Sequence, residues 1–196
     1  MRKIMKVEDI FSVFPLLETE RLILRKMTLE DTQDIFEYAS DPDITTYVTW
    51  EPHKSIADAI SFINSMNQRY EKVGLSEWGL VYRENNKFIG TCGYMWWRPD
   101  HARAEIAYAL SRKFWNQGLV TEAVKEIIKF GFEKMMLNRI EARCFLENIA
   151  SEMVMQKVGM KFEGIQREGL FAKGKYHGLK VYSILRREYY GETVPL

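Results

Sequence analysis

The stretch Trp115 to Phe130, WNQGLVTEAVKEIIKF, sets one glycine in a polar turn ahead of a helical pattern. Val120, Ala123, Val124, Ile127 and Ile128 recur at the three–four spacing of one helix face. Gly118 therefore lies where several backbone N–H groups lack an intrahelical partner, at the positive end of the helix dipole. Such a turn can hold an anion, and a residue without a side chain lets a phosphate oxygen approach the backbone. Relief of a tight turn explains the glycine equally well, and the local sequence does not choose between the two. The Gly-Lys-Ser/Thr ending of a P-loop is absent, as are the second and third glycines of a dinucleotide fingerprint. Upstream, RAEIAYAL carries Glu105 two residues before Ala107 and four before Ala109. On a strand these share one face, and the small side chains leave room for a substrate beside a proton-accepting carboxylate. The competing reading is a solvated carboxylate paired with Arg103 or Arg143. Glu141 and Glu147 are weaker substitutes. His53, His101 and His177 stand apart without metal-ligand spacing, so no metal is predicted.

Those residues need elements to carry them. RLILRKM alternates as a strand. TLEDTQDIFEYASD follows as a helix with Thr28 as N-cap and Asp31 in its first turn, stopped at Asp41-Pro42. SIADAISFINSMNQRYEKVG reads as a second helix, with Ile56, Ala59, Ile60, Ile63 and Met66 on its apolar face and Gly74 as its stop. EWGLVYR, KFIGTCGYMWW and RAEIAYAL are strands joined by tight turns, hence antiparallel hairpins. The helix after Gly118 runs to about Met136; RIEARCFL is a strand, IASEMVMQKVG a short helix, and the remainder a hairpin turning at KGK. This order predicts a mixed α/β fold of the α+β type, with a single, largely antiparallel central sheet flanked by helices. Trp96 and Trp97, adjacent on a strand, face opposite sides, one toward the core and one toward a groove. Trp50 is assigned to packing.

The 196 residues suit one domain, set here at 16–196, with residues 1–15 as an N-terminal extension ending at Pro15. A net charge of +1, from 28 basic and 27 acidic residues, argues against a nucleic-acid partner. Cys92 and Cys144 lie in apolar surroundings without a partnered histidine, which predicts two buried free thiols and no covalent cysteine chemistry. The first fifteen residues are too acidic and too short in apolar run for a signal peptide. No apolar window approaches the length of a membrane span, so a cytoplasmic protein is expected.

AEIAYALSRKFWNQGLVTEAVKEIIKFGF followed by NRIEARCFLENIASEMVMQKVGMKFEG resembles the GNAT family of acetyl-CoA-dependent N-acetyltransferases. The branch it resembles is that of the bacterial ribosomal-protein N-terminal acetyltransferases, and the likeness runs from TERLILR to YSILRREY. The resemblance implies a GNAT fold with acetyl-CoA as co-substrate. It assigns the backbone N–H groups of Trp115, Asn116, Gln117, Gly118, Leu119, Val120 and Thr121 to the pyrophosphate of coenzyme A. Trp115 stands where the family has Gln or Arg and is read as a packing anchor; Val120 replaces a small residue and would reshape the nest.

Acetyl transfer needs a neutral amine, a held thioester, a donor for the oxyanion and a proton for the thiolate. The resemblance supports Glu105 as base and matches Ala109 and Leu110 to the backbone that binds pantetheine and the carbonyl. It gives Asn148 to the pantetheine arm and Ser151 to thiolate protonation, with Tyr182 as a second candidate acid. Helix capping by Asn148 and Ser151, and core packing of the Tyr182 ring, are the competing readings. The acceptor is expected to be a primary amine: a protein N-terminus, since an α-amino group with pKa near ~8 is easily neutralised, or a small amine such as a polyamine or antibiotic. Two other classes remain open, a non-catalytic acetyl-CoA sensor and a nucleotide-binding enzyme. Homo-oligomerisation is left open too.

Overall fold

Alternating apolar residues give the strands one face each to bury, and the chain assembles them into a single eight-stranded sheet. The computed structural model describes residues 5–72 and 75–191. The strands are β1 (Leu17–Glu18), β2 (Leu22–Arg25), β3 (Glu77–Tyr82), β4 (Lys87–Arg98), β5 (Arg103–Leu110), β6 (Arg139–Phe145), β7 (Lys161–Ala172) and β8 (Lys175–Leu185). The helices are α1 (Val7–Phe11), α2 (Thr32–Ala39), α3 (Pro42–Thr45), α4 (Ile56–Lys72), α5 (Leu119–Glu133), α6 (Ile149–Lys157) and α7 (Arg186–Tyr189). Across the sheet the order is β1-β2-β3-β4-β5-β6-β8-β7. Every neighbour is antiparallel except β5 with β6, which α5 connects as a crossover. The mixed, largely antiparallel architecture expected from the sequence is the one observed.

Each face of the sheet has its own core. On one, Leu119, Ala123, Val124, Ile127 and Ile128 of α5 pack on Trp78, Leu80, Tyr94, Ala104, Ile106 and Ile140. On the other, Ile35 and Tyr38 of α2 and Ala59, Ile63 and Met66 of α4 cover Val81 and Phe88. Burying such side chains contributes about 1.5–3 kcal/mol apiece, which fixes α5 against the middle strands.

Several details depart from the sequence reading. Phe11 is 3% exposed and belongs to the main core, and Met5, Val7, Ile10 and Phe14 pack against it, so the described part of the segment set apart as an extension lies on the core. After α2 ends at Ala39, Asp41 accepts from the Asp43 amide (3.0 Å) and starts α3 with Pro42 in its first turn. Ile56 and Ile60, assigned to the buried face of α4, are each 38% exposed. Helix α5 stops at Glu133, short of Met136. Gly74, read as a helix stop, lies outside the described residues.

The feature that creates a site is local. Strands β5 and β6 pair only at Arg103–Arg139, Ala104–Ile140 and Glu105–Glu141. Beyond Glu105 they diverge, and their carboxyl ends open into a wedge directed at the start of α5.

Candidate active site

Gly118 is the N-cap of α5 and has φ +77°, a left-handed conformation that glycine adopts without strain. Asn116 is also left-handed, at φ +60°. A Cβ on Gly118 would have only the Arg21 guanidinium nearby, at 3.7 Å, so the backbone angle, and not crowding, selects glycine. The first helical bond runs from the Glu122 amide to the Gly118 carbonyl (3.0 Å). Among the described residues, the amides of Asn116 through Thr121 meet no acceptor. The turn is held from outside. Arg21 donates to the Gln117 carbonyl (3.0 Å) and pairs with Glu122 (2.7 Å), while the Trp115 indole donates to the Leu110 carbonyl (2.8 Å). Leu119 is buried, and Val120 packs against the core, which carries its branched side chain away from the exposed amides.

The wedge next to this turn has two distinct walls. The Ser111 amide donates to Ile89 of β4 (2.7 Å), and period-two alternation then aims the Ala109 amide at β4 too. The amides of Tyr108 and Leu110 face the opposite way, into the opening. From the β6 side, α6 begins with Asn148, whose Oδ1 accepts from the Ser151 amide (3.0 Å). The cap occupies that oxygen, and the amide nitrogen has no partner among the described residues. The Ser151 hydroxyl lies 2.9 Å from the Tyr108 hydroxyl, which also reaches the Ser151 carbonyl (3.0 Å). This contact bridges the wedge. Tyr182 is buried elsewhere: its hydroxyl donates to Glu152 (2.7 Å) and accepts from Gln156 (3.2 Å), anchoring α6 to β8.

The opposite face of β5 presents Glu105, Ala107 and Ala109, the last two half-buried although the strand is interior to the sheet. Glu105 is 7% exposed and fully engaged. Arg143 reaches both its oxygens (2.8 and 2.7 Å), and the Trp96 indole donates to Oε2 (2.6 Å). A register shift between Tyr94 and Trp96 turns Trp96 to this face and Trp97 into the core beside Phe11. Together with Glu141, Gln166 and Val181, these groups line a cleft of about 370 Å³. Glu141 is itself paired with Arg139 (2.9 Å).

Residues 21–161 match the family model described as the acetyltransferase (GNAT) domain. The chain belongs to the GNAT acetyltransferase family. Its relatives include the uncharacterized N-acetyltransferase p20 of Bacillus licheniformis, 37% identical over 89% of this chain and 98% of that one. YdaF of Bacillus subtilis (strain 168), which its name assigns provisionally to the ribosomal N-acetyltransferases, is 27% identical over 88% of this chain and 96% of its own. The crystal structure of a GNAT-family acetyltransferase from Bacillus anthracis superposes with a TM-score of 0.77 at 28% identity, covering 88% and 99% of the two chains. More distant fold neighbours hold acetyl-CoA or coenzyme A.

For a GNAT acetyltransferase the donor is acetyl-CoA, and this site suits it. Unengaged amides at a helix start match a pyrophosphate, and an unzipped strand edge matches an amide-bearing arm. The structure gathers Asn116–Thr121, Leu110, Asn148 and Ser151 around one wedge; it directs Ala109 to β4, Glu105 to the far face and Tyr182 to α6. Sequence reasoning missed Tyr108, because its partner comes from a helix remote in the chain. The three histidines are dispersed: His53 sits beside Trp50, His101 pairs with Asp100 (3.3 Å), and His177 stacks on Phe145. Among the described residues no group of three or more His, Cys, Asp or Glu could hold a metal. No helix among the described residues is long and apolar enough to cross a membrane. Both cysteines are free and buried, and burial pushes the Cys144 thiol up to about 11.

Proposed function

We propose that this acetyltransferase moves the acetyl group of acetyl-CoA directly to the α-amino group of a protein or peptide N-terminus, of the ribosomal-protein type. The observation that carries the donor half is the run of unengaged amides at the head of α5, opening onto a wedge bridged by Tyr108 and Ser151. The amides from Asn116 to Thr121 bind the pyrophosphate, and the free donors of Asn148 and the β5 edge orient the pantetheine arm. The Leu110 amide, aimed into the wedge, donates to the carbonyl oxygen as negative charge develops there. As the C–S bond breaks, the Ser151 hydroxyl gives its proton to the departing sulfur and regains one from Tyr108, which is reprotonated from solvent. A cysteine acyl-enzyme is disfavoured, since burial raises both thiols and leaves little thiolate.

The acceptor half draws on the kinship with YdaF and on chemistry: an α-amino group near pKa ~8 needs less help to lose its proton than a lysine near ~10.4. One observation favours a smaller acceptor. Lys173, at the tip of the β7–β8 hairpin, donates to the Thr45 carbonyl at the end of α3, and a contact between these two elements would restrict a bulky acceptor. Purified protein with acetyl-CoA should release free thiol in the presence of Ser- or Ala-starting peptides and only slowly with spermidine. Turnover of spermidine alone would move the assignment to small amines. Failure of acetyl-CoA to bind in calorimetry would remove the proposal altogether.

A further inference from the structure

Besides Glu105 and Glu141, the acceptor face of the sheet holds a third carboxylate, which the sequence did not single out. Glu77 opens β3, and the strand registers carry its face across the sheet: Glu77 pairs with Gly93, and Gly93 pairs with Ala107. Thr91 and Ala109 continue the same face one pair along. Gly93 has no room for a side chain, since a Cβ there would come within 2.5 Å of the Glu77 Cα. The floor between Glu77 and β5 is therefore bare backbone and alanine, roughly 10 Å wide at two strand spacings. A glutamate side chain and one water span that distance.

The carboxylates along this face differ in what they already hold. Glu105 is gripped by Arg143 and Trp96, and Glu141 by Arg139. Glu77 is half-buried and has no cation in salt-bridge contact among the described residues. The groups facing it are Thr91 of β4, Tyr38 of α2, and Arg69 and Tyr70 of α4; Cys92 lies behind it on the opposite face of β4. Tyr70 donates to the Glu77 backbone carbonyl (2.7 Å), leaving the carboxylate itself to Thr91.

We infer that Glu77, not Glu105, accepts the proton of the incoming ammonium, through one water above Gly93 and Ala107. This rests on the acetyltransferase reading and names the base for it. Glu77 takes one proton and frees the nitrogen lone pair; the N–C bond forms while C–S breaks, and the second nitrogen proton passes to water. The sulfur takes its proton from Ser151, and Glu77 returns its own to solvent. Burial raises the Glu77 carboxyl above its ordinary value, with the Thr91 hydrogen bond opposing, and a stronger base results.

The test compares kcat/KM from pH 6 to pH 10 for wild type and Glu77→Gln. The probe is whichever of a Ser-starting peptide or spermidine wild type acetylates faster. Glu77→Gln should lose about 100-fold near pH 7, with acetyl-CoA affinity unchanged in calorimetry. The deficit should shrink at high pH, where the amine is already neutral. A merely structural glutamate would give a deficit constant with pH, and that result, or no deficit, overturns the inference while leaving the acetyltransferase reading intact. Wild type inert toward both amines overturns both. Should Glu77→Gln fail to fold, Thr91→Val decides. Losing the hydrogen bond to the charged carboxylate must move the acidic limb upward, and an unmoved limb counts against Glu77.

Discussion

Ser151 and Tyr108 meet across the wedge through hydroxyls 2.9 Å apart, and burial pushes the Tyr108 phenol up from its ordinary value. A raised phenol stays protonated throughout the working range, as a reservoir refilling Ser151 must. Ser151→Ala is therefore expected to lower kcat about 10- to 100-fold with little change in KM for acetyl-CoA, because the proton is needed only as sulfur departs. Steady-state kinetics with Tyr108→Phe and the double variant would check this. A relay predicts a double variant no slower than the slower single one, whereas multiplied losses would mean independent roles. At this scale the sequence showed residue types but not engagements. Glu105 was correctly seen beside small residues on a strand face. Its two-oxygen grip by Arg143 depends on a parallel neighbour brought in by a crossover, which spacing cannot reveal. Glu77 was passed over for the same reason: its importance comes from Gly93 and Ala107 on other strands.

Among the elements, the turn into α5 was the most legible, because its cues are local: a glycine in a polar turn, then an apolar stripe at helical spacing. The left-handed Gly118 converts that cue into a measurable cost. Gly118→Ala should destabilise by about 1–2 kcal/mol, which for a chain of this size lowers the melting temperature by about 2–8 °C. Asparagine tolerates the same angle better than alanine, so Gly118→Asn should fall between alanine and wild type. If the amides grip a pyrophosphate, affinity for acetyl-CoA should follow the same order, since relaxing the angle re-aims them. A melting series with and without acetyl-CoA reads both effects. Unchanged affinity beside lowered stability would reduce Gly118 to a turn residue. Less legible were α3, begun by an Asp41 cap and Pro42, and the two-residue β1: short elements carry too few residues for a period to emerge.

For the whole molecule, the sheet order explains why a site exists at all. Six of the seven junctions between the eight strands are antiparallel, yet α5 inserts one parallel junction, and that junction unzips after Glu105. The element order and mixed sheet could be read from alternation and turn residues; which strands become neighbours could not. The N-terminal segment is the other global feature that local pattern concealed, since its apolar residues lack a clear period. Phe11 contacts Phe14, Trp78, Trp97 and Phe130, with ring centroids 6.0–6.3 Å apart, and the Trp78 indole donates to the Pro15 carbonyl (2.7 Å). It thus clasps the core beneath β3 and β4, the strands that carry Glu77 and Gly93. Phe11→Ala should cost about 3 kcal/mol through the cavity it leaves, or about 6–12 °C in melting temperature. The amides at α5 are held by Arg21 and Trp115 instead, so acetyl-CoA affinity should survive where the protein remains folded. Melting curves paired with calorimetry separate these outcomes. A variant that melts like wild type would return residues 5–15 to the status of an appendage. Loss of affinity at full foldedness would tie the segment to the donor site.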